Sequence, residues 1–345
     1  MTHDALLALM PETPRTWLVT GAAGFIGSNL AEALLRLGQR VVGLDNFATG
    51  YPHNVEAVHD AVGGAADRYR FIEGDIRDLS ACRAACDGVD YVLHQAALGS
   101  VPRSIEDPLA THATNVDGFV NMLVAARDAG VARFVYASSS SVYGDHPGLP
   151  KVEAETGTPL SPYAVSKRTD ELYARTFQDH YGLETIGLRY FNVFGRRQDP
   201  DGAYAAVIPK WIGLLLDGGQ PTIFGDGETS RDFCYIANVV QANLRAALAS
   251  ADATNAVYNI AYGDRTTLNE LYASIVGNIE AQRPDLDLPG ADYGPFRAGD
   301  IRHSLADVSA ARTELGYAPT HSAQQGLDEA IAWYLAAYAD TPSTS

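Results

Sequence analysis

Cysteine is scarce in this sequence, with three among 345 residues: Cys82, Cys86 and Cys234. That set fits neither a disulfide framework nor a four-ligand zinc pattern, so no metal is expected. The helical spacing of Cys82 and Cys86 reads as a pair of buried or half-buried thiols. Long apolar runs are missing too, since none approaches the ~20 residues that span a bilayer. The opening "MTHDALLALMPETPRTW" lacks a basic leader and a small-residue cleavage site, so the expected location is the reducing cytoplasm. Positive charge is in short supply: 25 Lys and Arg stand against 42 Asp and Glu, a net charge of −17. Nucleic acid and anionic membrane both require a basic face, so neither is expected as a partner. A small anionic ligand would have to be met by a local group of arginines.

What is present is ordinary globular material, 46% hydrophobic and 19% charged, long enough for one large α/β domain or two smaller units sharing a core. Short apolar runs rich in β-branched residues recur at "TWLVTG" (16–21), "RVVGLD" (40–45), "YRFIEGD" (69–75), "DYVLHQAA" (90–97), "RFVYASSS" (133–140) and "ETIGLRYFN" (184–192). Helical periodicity lies between most of them, as in "SNLAEALLRLGQ", 105–130 and 162–181. This alternation predicts a Rossmann-type, doubly wound parallel sheet covered by helices on both faces. After residue 192 the regularity weakens. The run 234–249 reads as a helix and 256–263 as a strand rejoining the sheet, and two helical stretches flank a Pro/Asp/Gly-rich section at 283–300. The expected division is a larger domain of 15–191 plus 232–262, which holds the sheet, and a smaller discontinuous lobe of 192–231 plus 263–340.

Gly21, Gly24 and Gly27 follow the first strand and open the first helix. Side chains there would block the tight turn, the approach of backbone to a pyrophosphate, and the packing of helix on strand. The helix start then offers N–H groups to the diphosphate. Asp45 ends the second strand, 18 residues beyond Gly27, where a carboxylate accepts from the adenine ribose hydroxyls. Asn46 is beside it, and no arginine follows to take a 2′-phosphate, which favours NAD over NADP. "GDI" (74–76) is placed for the adenine edge. In "LSPYAVSKRTDELY" (160–173), Ser161 and Pro162 make a helix start, which sets Tyr163 and Lys167 one turn apart on one face. A serine-rich strand end, "SSSS" (138–141), precedes them.

"TGAAGFIG" and "YAVSK" at this separation resemble the extended short-chain dehydrogenase/reductase family, over about residues 16–335. The resemblance implies a tyrosine base acting on a sugar hydroxyl. An unassisted phenol ionises near pH ~10, so an ammonium (Lys167) and the cationic nicotinamide are needed to favour the phenolate. Ser139 aligns as the hydroxyl partner, with Ser140 or Ser141 in its place if the register is off by one. Dehydratases of the family carry an Asp–Glu pair immediately after that serine. Here those positions are Ser140 and Ser141 (or Ser141 and Val142), which disfavours elimination and leaves 4-epimerisation.

The likeness is strongest to bacterial UDP-N-acetylglucosamine 4-epimerases of O-antigen pathways, through "SSSSVYGDHPGLPK", "LRYFNVFGRRQDPDGAYAAVIPKW" and "GDGETSRDFCYI". It implies NAD contacts from Gly21, Gly24, Phe25, Ile26, Gly27, Asp45, Asn46, Asp75, Ile76, Gln95, Ala96, Ala97, Asn115, Tyr163, Lys167 and Tyr190. It implies UDP-sugar contacts from Gly99, Ser100, Ser140, Ser141, Asn192, Gln198, Arg231, Arg297, Asp300 and Ser304, with Arg231 and Arg297 as the diphosphate clamp. Ser304 stands where galactose-restricted relatives have a large aromatic, leaving room for an N-acetyl group. A homodimer paired through the helices at 105–130 and 162–181 is implied as well. UDP-glucose or UDP-glucuronate 4-epimerases share every catalytic residue.

Overall fold

The structure is a computed structural model and describes residues 7–8, 10–199, 206–296 and 301–339. Strands β1 (Thr16–Thr20), β2 (Arg40–Asp45), β3 (Tyr69–Glu73), β4 (Tyr91–His94), β5 (Arg133–Ser139), β6 (Thr185–Tyr190) and β7 (Ala256–Ile260) form a seven-stranded sheet in the order β7-β6-β5-β4-β1-β2-β3. All its pairings are parallel. The chain winds outward from β1 to β3, then returns to lay β4 on the other side of β1. That reversal makes the crevice at the carboxyl ends of β1 and β4 the place where a ligand sits.

The helices are α1 (Phe25–Arg36), α2 (Pro52–Val62), α3 (Leu79–Cys86), α4 (Val101–Glu106), α5 (Pro108–His112), α6 (Gly118–Asp128), α7 (Pro162–Tyr181), α8 (Val207–Leu216), α9 (Ile236–Ala247), α10 (Leu268–Gln282) and α11 (Ala323–Ala339). They cover both faces of the sheet. Strand side chains alternate sides, so Trp17 and Val19 enter one core while Leu18 enters the other. Burial on both faces is why these strands read as continuous apolar runs. The three cysteines are free and buried.

Two expectations need correction. The stretch 105–130 is not one helix. It breaks at Asp107, whose φ −134 and ψ 80 are imposed by the following proline, and whose side chain caps α5 by accepting from Ala110 N–H at 3.0 Å. A π-turn, Ala113–Asp117, then separates α5 from α6. The run 234–249 is likewise not helical from its start. Cys234–Tyr235 pairs in parallel with Val193–Phe194, and the helix begins at Ile236.

Beyond β6 the chain forms short two-stranded pieces. Ser230–Arg231 pairs with Thr266–Thr267, and Thr222–Phe224 with Asp292–Gly294. Buried Asp232 ties this region together by accepting from the N–H groups of Tyr262, Gly263 and Ala306.

Candidate active site

The β1–α1 turn is built on glycine because backbone occupies the space of the missing side chains. A Cβ on Gly27 would lie 2.0 Å from the Gly21 oxygen. Gly21 has φ +67, and its Cβ would meet the Ala96 nitrogen at 2.9 Å. Gly24 is the N-cap of α1 and provides no side-chain cap, so the first-turn N–H groups are left for a ligand. A cavity of about 500 Å³ opens here, walled by Gly21, Gly24, Phe25, Ile26, Gly27, Asp45, Asn46, Ile76, Gln95, Ala96 and Ala97 among others.

Asp45 is buried. Its oxygens accept from Ala23 N–H at 3.0 Å and Phe47 N–H at 2.8 Å. Burial raises its ionisation above the ordinary range against the pull of those N–H groups. Asp75 is held by Arg77, at 2.6 Å to one oxygen, and by Asn46 at 2.8 Å. Arg77, first among these causes, holds it down to about 2. Anionic at neutral pH, Asp75 fixes the edge of the cavity through Asn46 and Arg77, both in its wall. The narrow turn, the bare helix start and the buried carboxylate at the end of β2 fit a dinucleotide.

Ser161 Oγ accepts from Ala164 N–H at 3.1 Å and starts α7 where the sequence places it. Lys167 is buried, and its ammonium donates to the carbonyl of Ala137 at 3.0 Å. That contact sets α7 against the end of β5, whose last residue is Ser139. Ser139 Oγ accepts from Ser141 N–H at 3.1 Å, at the start of a 3₁₀ turn, Ser140–Tyr143, that packs on α7. Ser138 faces the other way and donates to Glu171 at 2.6 Å. The Ser141 hydroxyl is buried without a partner among the described residues. Tyr163, Lys167 and Ser139 lie in the wall of neither large cavity.

Other candidates act through neighbours. Asn115 accepts from Leu98 N–H at 2.8 Å and donates to Ser166 at 3.0 Å, so its carboxamide ties the loop after β4 to α7. The Tyr190 hydroxyl donates to Gln95 at 3.1 Å and accepts from Asn243 at 2.9 Å. Gly99, Ser100 and Gln198, expected at the sugar, stand in the wall of the dinucleotide cavity. Gln198 donates to the Val193 carbonyl at 3.0 Å.

A second cavity of about 490 Å³ adjoins the first at Ala206, which lines both. Its wall holds Asn192, Lys210, Trp211, Phe224, Arg231 and Phe233. Two cations among aromatic rings suit a ligand that is anionic at one end and planar at the other. Asn192 has φ +32 and donates to the Asp232 carbonyl at 3.2 Å. Ser304 N–H donates to the Ser230 carbonyl at 3.0 Å, beside Arg231 but outside the cavity wall. Arg297 and Asp300 lie outside the described residues. Sequence reading missed Lys210, Trp211 and Phe224 in this wall and Arg77 in the other. Arg77 directly follows "GDI", and Lys210–Trp211 ends the quoted "VIPKW", so position within known segments was the available signal.

Known proteins resemble this chain in sequence and in fold. Residues 17–261 match the model of the NAD dependent epimerase/dehydratase family. A UDP-glucose 4-epimerase of Mycolicibacterium smegmatis is 36% identical over 319 residues, 92% of this chain and 97% of that one. The UDP-N-acetylglucosamine 4-epimerase from Methanobrevibacter ruminantium, solved with UDP-N-acetylmuramic acid, superposes with a TM-score of 0.84 at 36% identity, covering 94% and 99% of the two chains. A mutant UDP-glucuronic acid 4-epimerase from Bacillus cereus, solved with a fluorinated UDP-glucuronic acid and NAD, gives 0.82 at 29% identity, over 94% and 100%. With its sheet order, its glycine turn and a family match across most of its length, the chain belongs to the NAD dependent epimerase/dehydratase family.

Proposed function

We propose that this protein is a UDP-sugar 4-epimerase, and that its substrates are UDP-N-acetylglucosamine and UDP-N-acetylgalactosamine. The observation that carries the choice between epimerase and dehydratase is the turn after β5. Ser139 ends the strand, and Ser140 and Ser141 follow it in a 3₁₀ turn packed on α7. Two hydroxyls cannot act as the acid–base pair that elimination at adjacent carbons requires.

NAD, when bound, supplies the hydride acceptor and donor. Tyr163 takes the proton of the sugar 4-hydroxyl and returns it, Lys167 favours its phenolate by charge, and Ser139 donates a hydrogen bond to the same oxygen. Epimerisation then requires only that the 4-keto sugar turn over about its anchor, with no further acid or base. Asn192, Arg231 and Arg297 are the anchor in this reading, holding the diphosphate, and Lys210 joins them from the cavity wall. The division into 15–191 plus 232–262 and 192–231 plus 263–340 follows the same logic. All seven strands of the sheet fall in the first unit, and the cations of the second cavity fall in the second.

The acetylated substrate is supported by Ser304, a small side chain next to the strand that carries Arg231. A second reading, UDP-glucose or UDP-glucuronate as substrate, is favoured by the names of two of the relatives above. Product analysis with UDP-glucose, UDP-galactose, their two N-acetyl counterparts and UDP-glucuronate separates the readings. Conversion of the N-acetyl pair at the highest kcat/KM supports the first, and preference for a plain or acidic sugar supports the second. A homodimer completes the proposal. Val101, Ile105 and Leu109 on α4 and α5, and Leu160, Val165, Leu172 and Tyr173 on or beside α7, are exposed apolar side chains. A monomeric sedimentation mass would remove it.

A further inference from the structure

Two acids stand side by side on α7, Asp170 and Glu171, and both are buried. Glu171 is fully answered. Arg189 of β6 reaches its two oxygens at 2.8 and 2.9 Å, Arg168 adds a contact at 2.7 Å, and Ser138 donates at 2.6 Å. Burial would raise its ionisation, but these partners outweigh burial and hold it below the ordinary range. Asp170 has a different surrounding. Its Oδ2 lies 3.4 Å from the ammonium of Lys167, one turn back on the same face. Its Oδ1 is buried with no hydrogen-bond partner among the described residues. A buried carboxylate left half unsatisfied is costly. Burial pushes Asp170 up to about 7, with Lys167 opposing the shift and Glu171 adding to it.

Among the described residues, the remaining groups around the pair supply no second cation. From β4 comes His94, whose ring shares a 2.9 Å hydrogen bond with Thr20 and which burial, then the charge of Lys167, pushes down to about 3. From β5 comes Tyr136, fully buried, with its hydroxyl raised by burial and then by Glu171 and Asp170. Arg189 of β6 is committed to Glu171, Tyr143 and the Glu153 carbonyl. The π-turn contributes Asn115, uncharged and spent on Leu98 and Ser166. The 3₁₀ turn contributes Tyr143, which faces Arg189. Lys167 is thus the one cation paired with Asp170 among the described residues, and it is also the cation that the proposed chemistry requires for Tyr163.

We propose that Asp170 is a positioning residue that sets the pH range in which Lys167 supports Tyr163. Protonated, it leaves the ammonium charge free to favour the phenolate. Ionised, it takes up part of that charge and withdraws the support. As pH rises, ionisation of Asp170 therefore works against ionisation of Tyr163, and the gain in activity above neutrality is blunted. The inference rests on the reading of Tyr163 and Lys167 as the proton-handling pair.

The test uses the purified protein with its bound dinucleotide, in forms with and without Asp170→Asn. That change removes the charge and keeps the shape. Near-ultraviolet phenolate absorbance is titrated in each form, and the contribution of Tyr163 is isolated by subtracting the same form carrying Tyr163→Phe. The Tyr163 signal should appear at a pH lower by about one unit in Asp170→Asn, and the acid limb of kcat/KM should move by the same amount. Asp170→Glu, which retains the charge, should restore the parent midpoint. An unmoved phenolate midpoint in Asp170→Asn overturns the inference, even if thermal stability changes, because stability alone is what a structural role would alter. Should Asp170→Asn not fold, Asp170→Ser carries the same measurement. The titration needs no substrate, so it decides the inference even if no UDP-sugar is turned over. Turnover with an unmoved midpoint leaves the epimerase reading standing and removes this one.

Discussion

Lys167 donates to the carbonyl of Ala137 across 3.0 Å, which ties the helix carrying Tyr163 to the strand that ends at Ser139. Because the lysine is held by backbone, the tyrosine hydroxyl can be removed without loosening this joint. Tyr163→Phe keeps the ring and the helix start at Ser161. It should lower kcat by about 10²–10⁴-fold, the usual contribution of a positioned acid–base group. Circular dichroism and bound-dinucleotide content should match the parent. Near-full turnover in Tyr163→Phe would remove Tyr163 from the mechanism.

Arg189 and Glu171 form a second joint between β6 and α7, with both side chains buried. Removing one partner strands the other charge in the core. Arg189→Met should therefore cost about 3–5 kcal/mol of unfolding free energy, measured by urea titration. Glu171→Leu combined with Arg189→Met should recover part of that loss, since the orphaned charge is gone.

Gly27 has no room for a methyl group, because its Cβ would sit 2.0 Å from the Gly21 oxygen. The β1–α1 turn must open to admit one, and the helix start then moves from the pyrophosphate position. Gly27→Ala should be purified with little bound dinucleotide and bind added NAD at least tenfold more weakly by calorimetry. Parent-like affinity would contradict the placement of the diphosphate there.

Much of this was legible in the sequence, for a local reason. The strands are short apolar runs, the glycine turn occupies seven consecutive positions, and Tyr163 and Lys167 share one helical turn. What was not legible depends on chain segments far apart. Lys210 and Trp211 meet Arg231 and Phe224 only after the short strands at 222–224 and 230–231 fold back beside α8. Asp170 reads on a helix as a solvated acid, and its burial against Lys167 follows from α7 lying on β5. The break at Asp107 did have a local signal, since an aspartate before a proline disfavours helix and supplies a cap. Continuous periodicity across 105–130 masked it.

Asp232 gives stability a pH dependence of definite sign. Burial pushes its carboxyl up to about 7, with the N–H groups of Ala306, Gly263 and Tyr262 pulling the other way. In the unfolded chain it ionises near ~3.9, so the folded state holds the proton longer. Its contribution is therefore full below about pH 4 and lost as pH rises through about 7. Urea unfolding should show a lower midpoint at pH 8 than at pH ~5. Asp232→Asn should be less stable at the lower pH and show a flatter dependence between the two. A parent-like slope in that variant would remove Asp232 as the source.

In the proposed reaction the sugar is oxidised at C4 and the same hydride comes back to the other face. The direct measurement is the fate of a deuterium label at C4 of UDP-N-acetylglucosamine, followed by mass and proton resonance with purified protein and no added NAD. The expected product is UDP-N-acetylgalactosamine that retains the deuterium at C4. Loss of the label to solvent, or release of a 4-keto-6-deoxy sugar, would contradict it.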